Sequence, residues 1–343
     1  MYSEEQADRW INAVSFECSN RNISNDLETI YIGGGTPTSL SLNQLDRLLS
    51  LLDPYKTKVR EYTVEMNPET VTSETLDCLV MHGVNRLSIG LQSGDDAILR
   101  SLNRRHTRSD VGRLVHQIHA CGISNISLDL MYSLPGQTME KLKDSVEFAL
   151  SLNPSHLSLY SLTIEENSVF GKRGVQPLDE DTEADMYEWI VNRLCEAGYD
   201  HYEISNFAKD GKESLHNVNV WEYRDFYGIG YGAWGKDARG RYVHAKSIKE
   251  YLNDPLQLDY TELSIKEQMF ETVMMGLRLA RGISKITFQN TYGKSLDEVY
   301  PNTIRRYRSD GSLQETDDRL FCSEAGREIL NTLLVGFMEE SGL

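Results

Sequence analysis

Through the first 165 residues, short apolar, β-branched runs alternate with longer amphipathic stretches. The short runs predict strands at residues 28–33, 62–66, 86–91, 125–131 and 156–162. The stretches between them carry apolar residues at three- and four-residue spacing, which predicts helices at 43–52, 73–82, 108–121 and 139–150. A further helix is predicted at 181–197. Strands alternating with helices of this length imply βα units and a parallel sheet, hence an α/β fold of barrel or partial-barrel type. The strand at 30–33 is apolar throughout, as expected of a parallel strand buried on both faces. After Asp254-Pro255 the pattern changes. Amphipathic helices are predicted at 263–280 and 324–338, so residues 256–343 are expected to form a small α-rich C-terminal domain behind a first domain of residues 1–255.

In parallel barrels, ligands are held at the C-terminal ends of the strands. Here these ends deliver Gly33-Gly34-Gly35-Thr36-Pro37, then Glu65-Met66-Asn67-Pro68, then Gln92-Ser93-Gly94, then Asp129. Glycines let a ligand approach the backbone and expose N–H donors. Glu65 suits an ammonium group, Arg104 a carboxylate, Asp129 ribose hydroxyls, and Gln92 both donates and accepts. A glycine run after a strand is by itself most often a tight turn. One polar group at each of several strand ends points to a charged ligand that contains an amino acid.

Charge narrows the partners. The net charge is −17, and the short basic cluster Arg104-Arg105-His106 sits close in sequence to Asp95 and Asp96. No basic face is available to grip phosphate backbones, so nucleic acid is not an expected partner. No apolar run approaches the roughly 20 residues of a membrane span, and a cytoplasmic setting is expected. Cys18, Cys78, Cys121, Cys195 and Cys322 are scattered without a C-x-x-C pair, as expected of reduced, mostly buried thiols. His116 and His119 share one helix face but have no third ligand, and a solvated face explains them. The acidic run Asp179-Glu180-Asp181 fits a helix start. GIGYGAWG at 228–235 follows no βα pattern, which argues against a dinucleotide fingerprint.

The segments YIGGGTPTSL, VEMNP, RLSIGLQSGDDAILRSLNRRH, ISLDLMYSLPGQT and HLSLYSLTIEEN stand in the order found in radical S-adenosylmethionine proteins of the HemN/HemW group. HYEISNFAKDG, HNVNVW, LRLARGI and SEAGREIL extend the match, so the chain resembles that group over nearly its whole length, its second half looking like the haem chaperones. The resemblance implies a partial (β/α)6 radical-SAM barrel with a HemN-type C-terminal helical domain. It implies S-adenosylmethionine contacts at Gly34, Gly35, Thr36, Glu65, Gln92, Arg104 and Asp129. The family's haem-associated H-N-x-x-Y-W segment falls on His216 to Trp221, with Val220 in place of the Tyr. His216 is the implied haem contact, since a neutral imidazole is a good axial ligand. Ala233 and Trp234 depart from the small residue and histidine usual in the chaperones. The implied function is haem binding and delivery to an acceptor protein whose identity the sequence does not give. Oxygen-independent coproporphyrinogen III oxidation and a cluster-free S-adenosylmethionine-binding role stay open as alternatives, so whether the chain is an enzyme is also open.

The family holds a 4Fe–4S cluster on a C-x3-C-x2-C motif after its first barrel strand. This sequence contains no such motif. Two explanations stand: an upstream segment carries the first strand and the cysteines, or the cluster has been lost. The first is favoured because the strand at 30–33 would otherwise be an apolar sheet edge, an aggregation liability.

Overall fold

The computed structural model describes residues 3–165 and 169–343. The end of HLSLYSLTIEEN, at Glu166 and Asn167, lies outside them. The chain forms two compact units, one of residues 25–201 and 205–214, the other of residues up to 24, 202–204 and 215–343.

The first unit is built on parallel strands β1 (Thr29–Ile32), β2 (Glu61–Met66), β3 (Arg86–Gln92), β4 (Asn125–Tyr132) and β5 (His156–Ser161). Two short strands follow, β6 (Asp200–Glu203) and β7 (Asn206–Ala208), giving a curled half-barrel in the order β1-β2-β3-β4-β5-β7-β6. The strands and helices predicted through residue 197 all appear. The sheet departs from a run of parallel strands where β7 pairs antiparallel with β5.

Helices start where short polar side chains cap them. Ser41, Thr72 and Thr107 form capping boxes for Leu42–Ser50, Ser73–Met81 and Arg108–Ala120, each satisfying end donors that a helix leaves open. Asp179 caps Glu180–Glu196 by accepting from Thr182 N at 2.9 Å. Along β2 to β5 the side chains alternate. Tyr62, Val64, Leu87, Ile89, Ile126, Leu128, Leu157 and Leu159 are buried in one cluster with helix residues such as Leu49, Leu79, Val115 and Val146. Each such side chain contributes roughly 1.5–3 kcal/mol by leaving water.

The alternation corrects the expectation for β1. Only Ile30 of Thr29–Ile32 is fully buried, and Tyr31 points to the opposite, polar face, where its hydroxyl meets Glu65. β1 stands at one end of the strand order.

The second unit contains the helix Glu4–Asn20 and two small antiparallel sheets. One is β10-β9-β8, from β8 (Trp234–Asp237), β9 (Gly240–His244) and β10 (Leu258–Glu262). Its core joins Val273, Leu277, Phe288, Tyr300, Leu333 and Phe337. The predicted helix 263–280 is Ile265–Gly276. It stops where the chain turns and Gly276 packs against Ile283, leaving no room for a Cβ (2.6 Å). The predicted helix 324–338 is two helices, Glu324–Glu328 and Leu330–Ser341. Ile329 between them, at φ −106°, ψ 22°, interrupts the hydrogen-bond ladder. Among the described residues no helix is long and apolar enough to cross a membrane.

Candidate functional site

The face of the half-barrel opposite the apolar cluster is polar. Glu61, Thr63 and Glu65 on β2 alternate with the apolar set, as do Arg86 and Ser88 on β3, Ser127 and Asp129 on β4, and His156 and Ser158 on β5. The parallel register aligns them in rows: Thr63 with Arg86, Glu65 with Ser88, Gly90 with Asp129, Ser127 with His156, Asp129 with Ser158. The deep row is closed. Arg86 is 2% exposed and 3.9 Å from Glu61, and its Nε has no hydrogen-bond partner among the described residues. His156 is fully buried, with Nδ1 2.8 Å from Ser127 Oγ. Burial, with the Arg86 charge adding to it, holds its imidazole well below the usual range and therefore neutral.

Nearer the strand ends lie Glu65 and Asp129, in successive rows. Glu65 accepts from Tyr31 Oη at 2.7 Å and from Gly34 N at 3.1 Å. Asp129 accepts from Ser88 at 2.9 and 3.2 Å and from Ser127 at 3.2 Å. Burial pushes both carboxyls above their ordinary values, and Asp129 adds to the rise of Glu65. Their donors are neutral and do not offset the desolvation. The backbone is shaped to fit. A Cβ on Gly33 would lie 2.5 Å from the Glu65 carboxyl, and one on Gly90 2.9 Å from Gln92 Nε2 and 3.1 Å from Asn67 Oδ1. Gln92 itself sits at φ +64° where the β3–β4 register shifts.

Several of the residues picked out by sequence converge. Glu65 is tied to Gly34. Thr36 and Arg104 are tied together by a residue the sequence reading quoted but gave no role: Asn67 Nδ2 donates to Thr36 Oγ1 at 2.7 Å, and its Oδ1 accepts from Arg104 at 3.0 Å. Asp129 is held by Ser88, which sits in register with Glu65. Gly35 lies exposed on the same loop. The sequence also missed Tyr31, whose alternation with Ile30 and Ile32 was the available signal. His106, taken as part of a basic cluster, is buried, its Nδ1 2.9 Å from Glu69 Oε2.

In the second unit, His216 is half-buried near the start of the helix Leu215–Trp221. Trp221 on that helix stacks under the Arg278 guanidinium at 4.5 Å, and Arg278 reaches Glu203 at 4.0 Å. Trp234 is 55% exposed. Unannounced by any motif, Glu17 of the helix Glu4–Asn20 is fully buried among Arg21 (2.9 Å), Tyr251 Oη (2.7 Å), Gly230 N (3.0 Å) and His244 Nε2 (2.9 Å). Arg21 also bonds Gly228 O and Tyr242 Oη. This network fixes the GIGYGAWG segment. The one sequence clue was a carboxylate on the stripe that buries Ile11, Val14 and Cys18.

The thiols do not fit an iron–sulfur cluster. Cys18, Cys78 and Cys322 are buried, Cys121 is half-buried, and Cys195 is exposed rather than buried as expected. Burial pushes Cys18 up to about 11 and Cys322 to about 12. Among the described residues no three sulfurs converge. His116 and His119 are exposed.

Comparison with known proteins fits this geometry. Residues 20–149 match the family model of the radical SAM superfamily, and residues 263–329 match that of the HemN C-terminal domain. The chain is 35% identical to the heme chaperone HemW of Bacillus subtilis, covering 98% of this chain and 93% of that protein. It is 39% identical to HemW of Lactococcus lactis (91% and 85% covered) and 34% to HemW of Escherichia coli (92% and 85%). Among solved structures, coproporphyrinogen III oxidase (HemN) from Escherichia coli superposes with a TM-score of 0.85 over 98% of this chain and 84% of that one, at 20% identity.

Proposed function

The chain belongs to the HemW heme chaperone family, and from that premise we propose that it binds haem and passes it to an acceptor protein. One observation carries this: the identity to HemW proteins extends over nearly the whole of both chains. His216, half-buried beside the start of its helix, is the proposed haem contact, a neutral imidazole being suited to iron.

The family's cofactors are S-adenosylmethionine and a 4Fe–4S cluster. For the first, the polar rim fits. Gly34, Gly35, Thr36, Glu65, Gln92, Arg104 and Asp129 are the proposed contacts. Glu65 and Asp129 are two desolvated carboxyls with neutral hydrogen-bond donors only, Arg86 acting on Asp129 through its charge alone, and a ligand that brings an ammonium and a sulfonium adds positive charge beside them. Arg104, held by Asn67, is left to face a carboxylate. S-adenosylmethionine supplies an activated sulfonium; the chain's own residues bind and orient it. For the cluster, the thiols of this chain do not fit.

Residues 256–343 are proposed as the HemN-type C-terminal domain behind residues 1–255, supported by the match at 263–329. Cysteines scattered along the chain without a C-x-x-C pair support a reducing, cytoplasmic setting.

Haem titration followed by absorbance tests the proposal. Wild-type protein is expected to shift the Soret band with one equivalent of haem, and His216→Ala to lose that shift. An unchanged spectrum in the variant removes His216 from the role. Absence of any shift in the wild type removes haem binding.

A further inference from the structure

On the helix side of the half-barrel, away from the polar rim, the helices Leu42–Ser50 and Ser73–Met81 carry Asp46 and Cys78, and His82 caps the second. Cys78 and His82 are four residues apart, so they stack on one face of that helix end. One ligand atom from each of Asp46, Cys78 and His82 lies within 4.8 Å of the other two.

The histidine is already set as a metal ligand is. His82 Nδ1 lies 3.3 Å from Asp53 Oδ1, and Lys56 Nζ holds that carboxylate at 2.6 Å. A ligating histidine characteristically gives its other ring N–H to a carboxylate, which fixes the tautomer and turns the free nitrogen toward the ion. The other ring nitrogen, Nε2, is paired with Asp46 Oδ1 at 3.0 Å, the bond an ion would replace. Two ligands of a tetrahedral ion with bonds of about 2.0 Å stand roughly 3.3 Å apart, so the pair needs to open by only a few tenths of an ångström. A charged strut between two aspartates would explain His82 alone, whereas Cys78, which also packs in the apolar cluster, brings its sulfur to the same point. The thiol is 6% exposed and faces the same point. The Asp46 side chain is 45% exposed and opens the position to solvent.

We propose that Asp46, Cys78 and His82 form a site for a borderline-soft divalent ion of the zinc type, with a fourth position open to water. Sulfur, imidazole and carboxylate together suit such an ion better than magnesium or calcium. Binding releases the Cys78 proton, so affinity rises with pH. The ion clamps the helix that follows β1 to the helix that follows β2, at the end of the sheet where β1 has one neighbour. The site is independent of the haem proposal.

The test uses untagged full chain stripped of metal, with Zn2+ or Co2+ alone as probe. One equivalent of Co2+ is expected to give tetrahedral d–d bands and a thiolate charge-transfer band. Both Cys78→Ala and His82→Gln should lose that charge-transfer band, and Asp53→Asn should weaken binding about 10–100-fold. Zn2+ should raise the melting temperature of the wild type and not that of Cys78→Ala. Cys78→Ser, which changes one atom, carries the test if His82→Gln does not fold. No stoichiometric binding, or a charge-transfer band that persists in Cys78→Ala, overturns the proposal.

Discussion

Two carboxylates, one in each unit, one fully buried and one half-buried, meet opposite fates. Glu17 is fully enclosed. Burial alone would push its carboxyl up, but His244, Tyr251, Arg21 and Gly230 together hold it below its ordinary value. Glu65 has two donors, both neutral, and burial keeps it above. Glu17 is finished as a structural element: every lone pair it turns inward is used. Glu65 lies near the strand ends, one row short of Asp129, and is left wanting positive charge. The difference separates a carboxylate that holds the fold from one that waits for a ligand.

Breaking the finished site should have the largest effect. Glu17→Ala leaves the Arg21 guanidinium, the Tyr251 hydroxyl and the Gly230 N–H buried without their acceptor. A loss of about 3–5 kcal/mol is expected, read as a lowered urea midpoint. A loss below 1 kcal/mol would mean that water replaces the carboxylate and that the network is not structural.

At the waiting site, Glu65→Gln should do the reverse. S-adenosylmethionine binding by calorimetry is expected to weaken about 10–100-fold, the value of one hydrogen bond to a charged group. The pH dependence sharpens the contrast. Glu17 has a depressed folded pKa, so its stabilisation is present above the unfolded value of 4.5 and is lost as pH falls through the folded value. Glu65 has a raised folded pKa, so its cost is absent below 4.5 and grows as pH rises toward the folded value. Glu65→Gln should therefore be more stable than wild type at neutral pH, with the gap closing on acidification. Urea midpoints across that range check both signs.

The smallest expected effect is at Asn67. Asn67→Ala frees Arg104 and Thr36 without touching the carboxylates, and should weaken S-adenosylmethionine binding by about 1–2 kcal/mol, or roughly 5–30-fold. Stability should change little, since the groups released are half-buried and reach water. A variant that unfolds instead would place Asn67 with Glu17 rather than with Glu65.

Much of this was legible along the chain because it is local. The helix start at Asp179 acts over three residues. The period-two pattern of β2 to β5 is written in runs such as RLSIGLQ, and the strand ends named Glu65, Gln92 and Asp129. Reading β1 as apolar on both faces hid Tyr31, because a four-residue strand gives one alternation to judge by. Asn67 was visible in VEMNP but not its task, which depends on two side chains 31 and 37 residues away.

The sequence by itself determined the order of βα units, the polar groups at their ends and the absence of three clustered cysteines. All of these follow from residue type and short-range spacing. Tertiary structure alone decided which charges are satisfied. Glu17 meets His244 across 227 positions, and Asp46 meets His82 across 36. A carboxylate's ionisation depends on donors within a few ångströms, and no pattern along the chain states which distant donors those will be.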